Sequence, residues 1–263
     1  MFRALSLTVV LLTIAAQAQA GPRYVAMGSS FAAGQGLGAY EASGPARCGR
    51  STHNYAHQFA ARRGLDLVDV SCSGATTAAI LAPWGEVPAQ IDAVTADTRL
   101  VTVTIGGNDL GYVGGLIAAS CRALNKSGCQ AERVVTEADY ATLKTTMAGI
   151  VDAIRARAPK ATIALVQYPV VLPAKGVCAA TPMSKASADA ARAKASRLAR
   201  ITAEVAREHG ARVIRADRLS RGHDACAAQP WMNGYPAPGA APYHPNRAGM
   251  TAVAEALDKV LPR

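Results

Sequence analysis

The chain has 263 residues, half of them hydrophobic and 17% charged. That composition fills an ordinary buried core and excludes a disordered or fibrous polymer. The net charge of +10 suits an anionic lipid surface or a polyanion, but the basic residues are dispersed over stretches such as 185–207 and 212–221 without interleaved aromatics, so nucleic acid is not the expected partner.

The first element in chain order is a leader. Arg3 precedes an apolar run over residues 4–16, followed by Gln17-Ala18-Gln19-Ala20. A short positive region, a hydrophobic region and an Ala-x-Ala signature predict a secretory signal cut after Ala20. The run is shorter than the about 20 apolar residues of a membrane span. One domain, 21–263, is expected outside the cytoplasm, extracellular or periplasmic.

Short β-like runs follow at 24–27, 65–71, 100–105, 162–168 and 212–216, alternating with helical patterns. Residues 140–158 place Leu143, Met147, Ile150, Val151 and Ile154 at three-and-four spacing, with Pro159 as a stop. Residues 184–209 are rich in Ala and Arg and end at Gly210; residues 246–260 open after Pro245 and close the chain. The alternation predicts a three-layer α/β/α domain around a mostly parallel five-stranded sheet. Ligand sites in such sheets lie beyond the carboxyl ends of the strands. Two long loops, 34–51 and 218–243, are expected to be functional or cross-linked.

Six cysteines, none in a C-x-x-C pair, argue against a zinc ribbon or redox motif and for disulfides in an oxidising compartment. Many connectivities remain open. Nearest-neighbour pairing, Cys48–Cys72, Cys121–Cys129 and Cys178–Cys226, is the working hypothesis, since each pair would staple one connection between core elements.

Four fragments fall where the crevice is expected. Gly28-Ser29-Ser30-Phe31 follows the first strand, Cys72-Ser73-Gly74 the second, and Gly106-Gly107-Asn108-Asp109 the third; Tyr243-His244-Pro245-Asn246 precedes the last helix. A serine needs a base near neutral pH, which a histidine supplies. Glycine N–H groups and an asparagine amide can donate to a developing oxyanion. Pro245 fits the first turn of the closing helix and would hold His244 at its entrance. Taken singly, each fragment is also an ordinary cap or turn.

In combination they resemble the SGNH hydrolases, or GDSL-type lipases and esterases, with Gly-Ser-Ser-Phe in place of Gly-Asp-Ser-Leu. The likeness spans essentially the whole mature chain. It is closest to the secreted, cysteine-rich actinobacterial-type branch, with which Gly222-His223-Asp224-Ala225-Cys226 and Trp231-Met232-Asn233-Gly234 also agree. The resemblance implies a flavodoxin-like fold, three sequential disulfides, Ser30 as nucleophile, His244 as base, and an oxyanion hole of Ser30 N–H, Gly74 N–H and the Asn108 amide. It implies no cofactor, and a lipid or short acyl ester as substrate.

Two positions depart from the family pattern. Ser29 replaces the usual Asp, which is not the triad acid. Ala241 stands three residues before His244, where the family acid is usual, and no carboxylate lies between Asp224 and His244. Some relatives in the cysteine-rich branch orient the imidazole with a backbone carbonyl at this position, so the resemblance implies a Ser30–His244 dyad, with the Ala241 carbonyl accepting the other ring N–H and Asp224 as the rival acid. The expectation is a monomeric carboxylic ester hydrolase, with an anionic membrane surface as a candidate partner. Its rivals are a phospholipase A, a polysaccharide O-deacetylase, an acyltransferase, or a binding module that lost catalysis.

Weaker signals are read as structural. His53 and His57 lie four apart, as on one helix, but lack a Cys or acidic partner at suitable spacing, so a packing or surface role is expected rather than metal ligation. No Walker lysine, H-E-x-x-H or G-x-S-x-G occurs. Trp84, Trp231, Tyr112, Tyr235 and Tyr243 are expected in loops around the crevice, and Asp109 is expected to brace the Asn108 turn.

Overall fold

The computed structural model describes residues 21–42 and 44–262; the leader and its cleavage site lie outside the described residues. Five strands, β1 (Arg23–Gly28), β2 (Asp66–Asp69), β3 (Leu100–Thr104), β4 (Thr162–Val166) and β5 (Arg212–Ile214), form one sheet in the order β2-β1-β3-β4-β5. All four pairings are parallel, so the expected mostly parallel sheet is wholly so.

Both faces are covered, as parallel sheets require. Helices α1 (Ser30–Ala33), α2 (Tyr55–Arg63), α3 (Thr77–Leu81), α4 (Tyr112–Ala123), α5 (Glu137–Arg157), α6 (Lys185–Glu208), α7 (Ala216–Leu219) and α8 (Arg247–Val260) fill the connections. Alternate strand residues point to opposite faces, and the core divides accordingly. Val25, Met27, Val101 and Val103 pack with Leu143, Ile150, Leu198 and Val205 of α5 and α6. Tyr24 and Ala26 pack with Tyr55 and Phe59 of α2 and with Met250, Val253 and Leu257 of α8. On that second face β3 carries two buried threonines, each paired with a tyrosine hydroxyl: Thr102 with Tyr24 at 2.7 Å and Thr104 with Tyr55 at 2.8 Å.

The five periodic residues assigned to 140–158 are the buried residues of α5. Its start lies at a capping box of Thr136 and Asp139. The helix expected to carry both His53 and His57 is α2, which begins at Tyr55 and so holds only His57, and α4 is an addition to the sequence reading. In α4 the pair Gly114-Gly115 weakens the helical signal, and packing of Leu116 and Ala119 into the core supplies what propensity lacks. Tyr112, expected in a loop, opens this helix and is buried. Pro245 does not sit in the first turn of α8. Asn246 is the cap, its side chain accepting from Gly249 N–H at 3.1 Å, and Pro245 precedes it.

Disulfides join Cys48 to Cys72, Cys121 to Cys129 and Cys178 to Cys226. The first ties loop 34–51 to the end of β2, and the third ties the segment after β4 to loop 218–243. The sheet order puts β1 and β3 side by side while the chain leaves them in opposite directions across the sheet. This switch point opens a crevice beyond the carboxyl ends of the strands, and the four fragments meet there.

Candidate active site

At the end of β1, Gly28 adopts φ +142°, which an L side chain rarely tolerates. Its backbone is clamped by one buried amide: Gln90 Oε1 accepts Gly28 N–H at 2.7 Å and Gln90 Nε2 donates to Gly28 C=O at 3.0 Å. Ser29 N–H then donates to Thr104 C=O of β3 at 2.9 Å. These bonds fix the sharp exit from β1, and Ser30, the first residue of α1, follows from it with its side chain nearly buried.

Ser30 Oγ lies 2.8 Å from His244 Nε2, across 214 residues of chain. The second ring nitrogen, Nδ1, lies 2.8 Å from the carbonyl oxygen of Pro242. A carbonyl only accepts, so the neutral imidazole carries its proton on Nδ1, leaving Nε2 free to accept from the serine hydroxyl. Burial pulls the His244 pKa below its ordinary value, opposed in part by the Pro242 carbonyl. The ring is therefore neutral, as a base must be, at neutral pH.

The expected carbonyl was that of Ala241, and here the structure differs. Ala241 C=O is engaged by Asn233 Nδ2 at 3.0 Å and by His244 N–H at 3.3 Å. The reason is local. Tyr243 adopts a left-handed conformation, φ +59°, which turns the Pro242 carbonyl back onto the ring. Tyr243 holds this posture fully buried, its hydroxyl bonded to Ser120 Oγ and its ring stacked on Tyr235. Asp224 is not the orienting acid: it accepts Cys226 N–H at 2.9 Å, and both nitrogens of His244 are engaged elsewhere. Neighbouring His223 bonds Gln229 C=O and stacks on Trp231.

The three donors converge on the same end of the sheet. Among the described residues neither Ser30 N–H nor Gly74 N–H meets a protein acceptor. Gly74 has φ +87°, and a Cβ there would stand 3.0 Å from the Trp84 ring. Asn108 Nδ2 donates to Ala75 C=O at 2.9 Å, which aims the amide toward the Gly74 loop. Asp109 accepts from Thr77 N–H and Thr77 Oγ1, so it braces the start of α3 against the β3 loop. Of the five aromatics expected around the crevice, Trp84 is the one that covers the glycine loop.

Sequence reasoning missed Tyr168. Its hydroxyl accepts Gly107 N–H at 3.1 Å and shares a hydrogen bond with Ser29 Oγ at 2.8 Å, so one phenol holds the neighbours of both Asn108 and Ser30. Burial pushes its pKa up to about 12. Its ring packs on Phe31, which packs in turn on His244. The close fit explains Gly107, where a Cβ would stand 2.8 Å from the phenol. Bonds spanning 139 and 61 residues leave no mark in local sequence.

Among the described residues one group, Glu41, His57 and Asp69, has ligand atoms close enough to hold a metal ion. His57 thus has the acidic partners that sequence spacing did not reveal, while His53 faces Arg247. The atoms are engaged with one another and their surroundings: His57 Nε2 meets Glu41 Oε1 at 2.6 Å, Asn54 Nδ2 donates to Asp69 Oδ2 at 2.7 Å, and Arg50 pairs with Glu41 at 3.2 Å. The cluster ties loop 34–51 to α2 and β2.

A family model of GDSL-like lipases and acylhydrolases matches residues 26–252. The chain belongs to the GDSL-like lipase/acylhydrolase family. This GDSL-like protein is a carboxylic ester hydrolase, and it is 34% identical to a lipase of Streptomyces rimosus over 87% of its own length and 82% of the relative's. The crystal structure of an extracellular lipase from Streptomyces rimosus superposes with a TM-score of 0.75 at 31% identity, covering 92% of this chain and all of the other. A phospholipase A1 from Streptomyces albidoflavus gives 0.74 at 25% identity with the same coverage.

Proposed function

We propose that this GDSL-like hydrolase cleaves lipid esters through a Ser30–His244 dyad and a covalent acyl-enzyme. The carrying observation is the 2.8 Å approach of Ser30 Oγ to His244 Nε2, with Nδ1–H directed at Pro242 C=O. Ser30 Oγ attacks the ester carbonyl carbon as its proton passes to Nε2, and the Pro242 carbonyl steadies the imidazolium formed. The carbonyl oxygen becomes an oxyanion received by Ser30 N–H, Gly74 N–H and Asn108 Nδ2. Collapse breaks the bond to the alcohol, which leaves with the proton from Nε2. Water then enters, gives a proton to His244, attacks the acyl group and releases the carboxylic acid, restoring the serine.

Export after Ala20 is part of this reading, supported by the leader pattern and by the likeness to an extracellular lipase. Phospholipid is the favoured lipid, supported by the charge of +10 and the likeness to a phospholipase A1. The test is labelling of the mature protein with a fluorophosphonate probe, expected in the native protein and lost in Ser30→Ala. A folded protein that takes up no label overturns the dyad. Faster fatty-acid release from phosphatidylcholine vesicles than from p-nitrophenyl esters supports the phospholipase reading, and the reverse order refutes it.

A further inference from the structure

Behind Tyr168, on the α6 side of the segment that follows β4, lies a cavity of about 740 Å³. Binding cavities for small molecules fall in the range of about 300–1,000 Å³. One wall is apolar, formed by Val170 and Ala174 after β4 together with Ala195 and Ala199 of α6. The lining also carries five arginines against two aspartates. Arg215 holds Asp217 through two bonds of 3.1 Å, and Arg192 is engaged by Asp189 and the Pro173 carbonyl. Asp224 accepts Cys226 N–H. Among the described residues the guanidinium groups of Arg200, Arg218 and Arg221 have neither a hydrogen-bond acceptor nor an ion-pair partner.

We propose that this cavity is a second binding site, distinct from the ester-cleaving crevice, for an amphiphilic anion: an alkyl chain ending in a carboxylate or a phosphate. The two halves of the ligand answer the two halves of the lining. Guanidinium groups match the planar oxygens of carboxylate and phosphate and are less strongly hydrated than ammonium. The apolar wall gives the alkyl chain a surface to leave water for. None of Ser30, Gly74, Asn108 and His244 lines this cavity, and Tyr168, which does, bonds Ser29 and Gly107 through its hydroxyl. The site therefore stands whether or not the catalytic reading does.

The test is calorimetric titration of protein covalently blocked at Ser30 by a fluorophosphonate, using octyl phosphate, octanoate, octanol and inorganic phosphate in turn. Both octyl anions are expected to bind one per chain and to weaken as salt is raised, with octanol and inorganic phosphate at least tenfold weaker. The phosphate and carboxylate arms rank the two head groups. Arg218→Ala/Arg221→Ala is expected to cost tenfold or more in affinity while labelling of Ser30 keeps its native rate, which certifies the fold. Loss of binding on blocking Ser30 would place the ligand in the crevice and overturn the proposal, as would affinity indifferent to the two arginines or inorganic phosphate binding as well as octyl phosphate. Should the probe fail to label, the dyad falls, and the arginine dependence is read on unlabelled protein.

Discussion

Replacing Tyr168 by Phe removes one oxygen from the middle of the site and leaves the ring packing on Phe31 in place. Gly107 N–H loses its acceptor and Ser29 Oγ its partner, in surroundings where Tyr168 is 6% and Ser29 1% exposed. A buried polar group left without a partner costs about 1–3 kcal/mol, so the two together predict a loss of about 2–6 kcal/mol. That is survivable for a domain stabilised by about 5–15 kcal/mol. In a Ser29→Ala background the same change orphans only the Gly107 amide, and its cost should shrink by about 1–2 kcal/mol. Guanidinium melts of the four proteins measure both quantities, provided the denaturant slope stays constant. Turnover should fall as well, by roughly tenfold to a hundredfold, because Ser29 and Gly107 carry the backbone on which Ser30 and Asn108 are aimed. A Tyr168→Phe protein within about 0.5 kcal/mol of the native one, or a cycle with no coupling, would refute this account.

Asn108→Ala should lower kcat by about a hundredfold to a thousandfold, the usual cost of losing one oxyanion donor; a normal rate in ester assays would remove Asn108 from the hole. Asp224→Asn should leave kcat/KM nearly unchanged, whereas a triad acid lost in this way costs about 10⁴-fold, so a loss of that size would defeat the dyad. The pH profile of kcat/KM carries a further expectation. Burial holds the His244 pKa below its ordinary value, so the base stays neutral as pH falls through about 6.5. Activity should be lost only below that point, and an acid limb centred above pH 7 would contradict the burial argument.

The fold and the four candidate site residues were readable because each has a local signal. Strand and helix periods alternate, and Ser30, Gly74, Asn108 and His244 each sit in a short motif at a predicted element end. What escaped depends on distant chain or on a single dihedral. Pro242 replaces Ala241 as the acceptor because Tyr243 sits at φ +59°, which no neighbouring residue type announces. Tyr168 and Gln90 act across 139 and 62 residues. The acidic partners of His57 come from loop 34–51 and β2, not from its own helix. Helix α4 was hidden by two glycines whose cost is offset by tertiary packing.

The bond between Cys48 and Cys72 lies two residues upstream of Gly74, in a turn also held by Cys72 N–H to Gly28 C=O, Ser73 N–H to Cys48 C=O and Ala75 N–H to Cys72 C=O, each 3.0 Å, and by Asn108 Nδ2 on Ala75 C=O at 2.9 Å. Both sulfurs are buried in the core on one face of the sheet, and the turn that carries Gly74 N–H, the proposed oxyanion donor, starts at this staple. Material produced in a thiol-rich cytosol should accordingly be both less stable and sluggish, and should quicken on exposure to an oxidant. Oxidation state then sets specific activity as well as stability, and two preparations alike by circular dichroism can differ as enzymes.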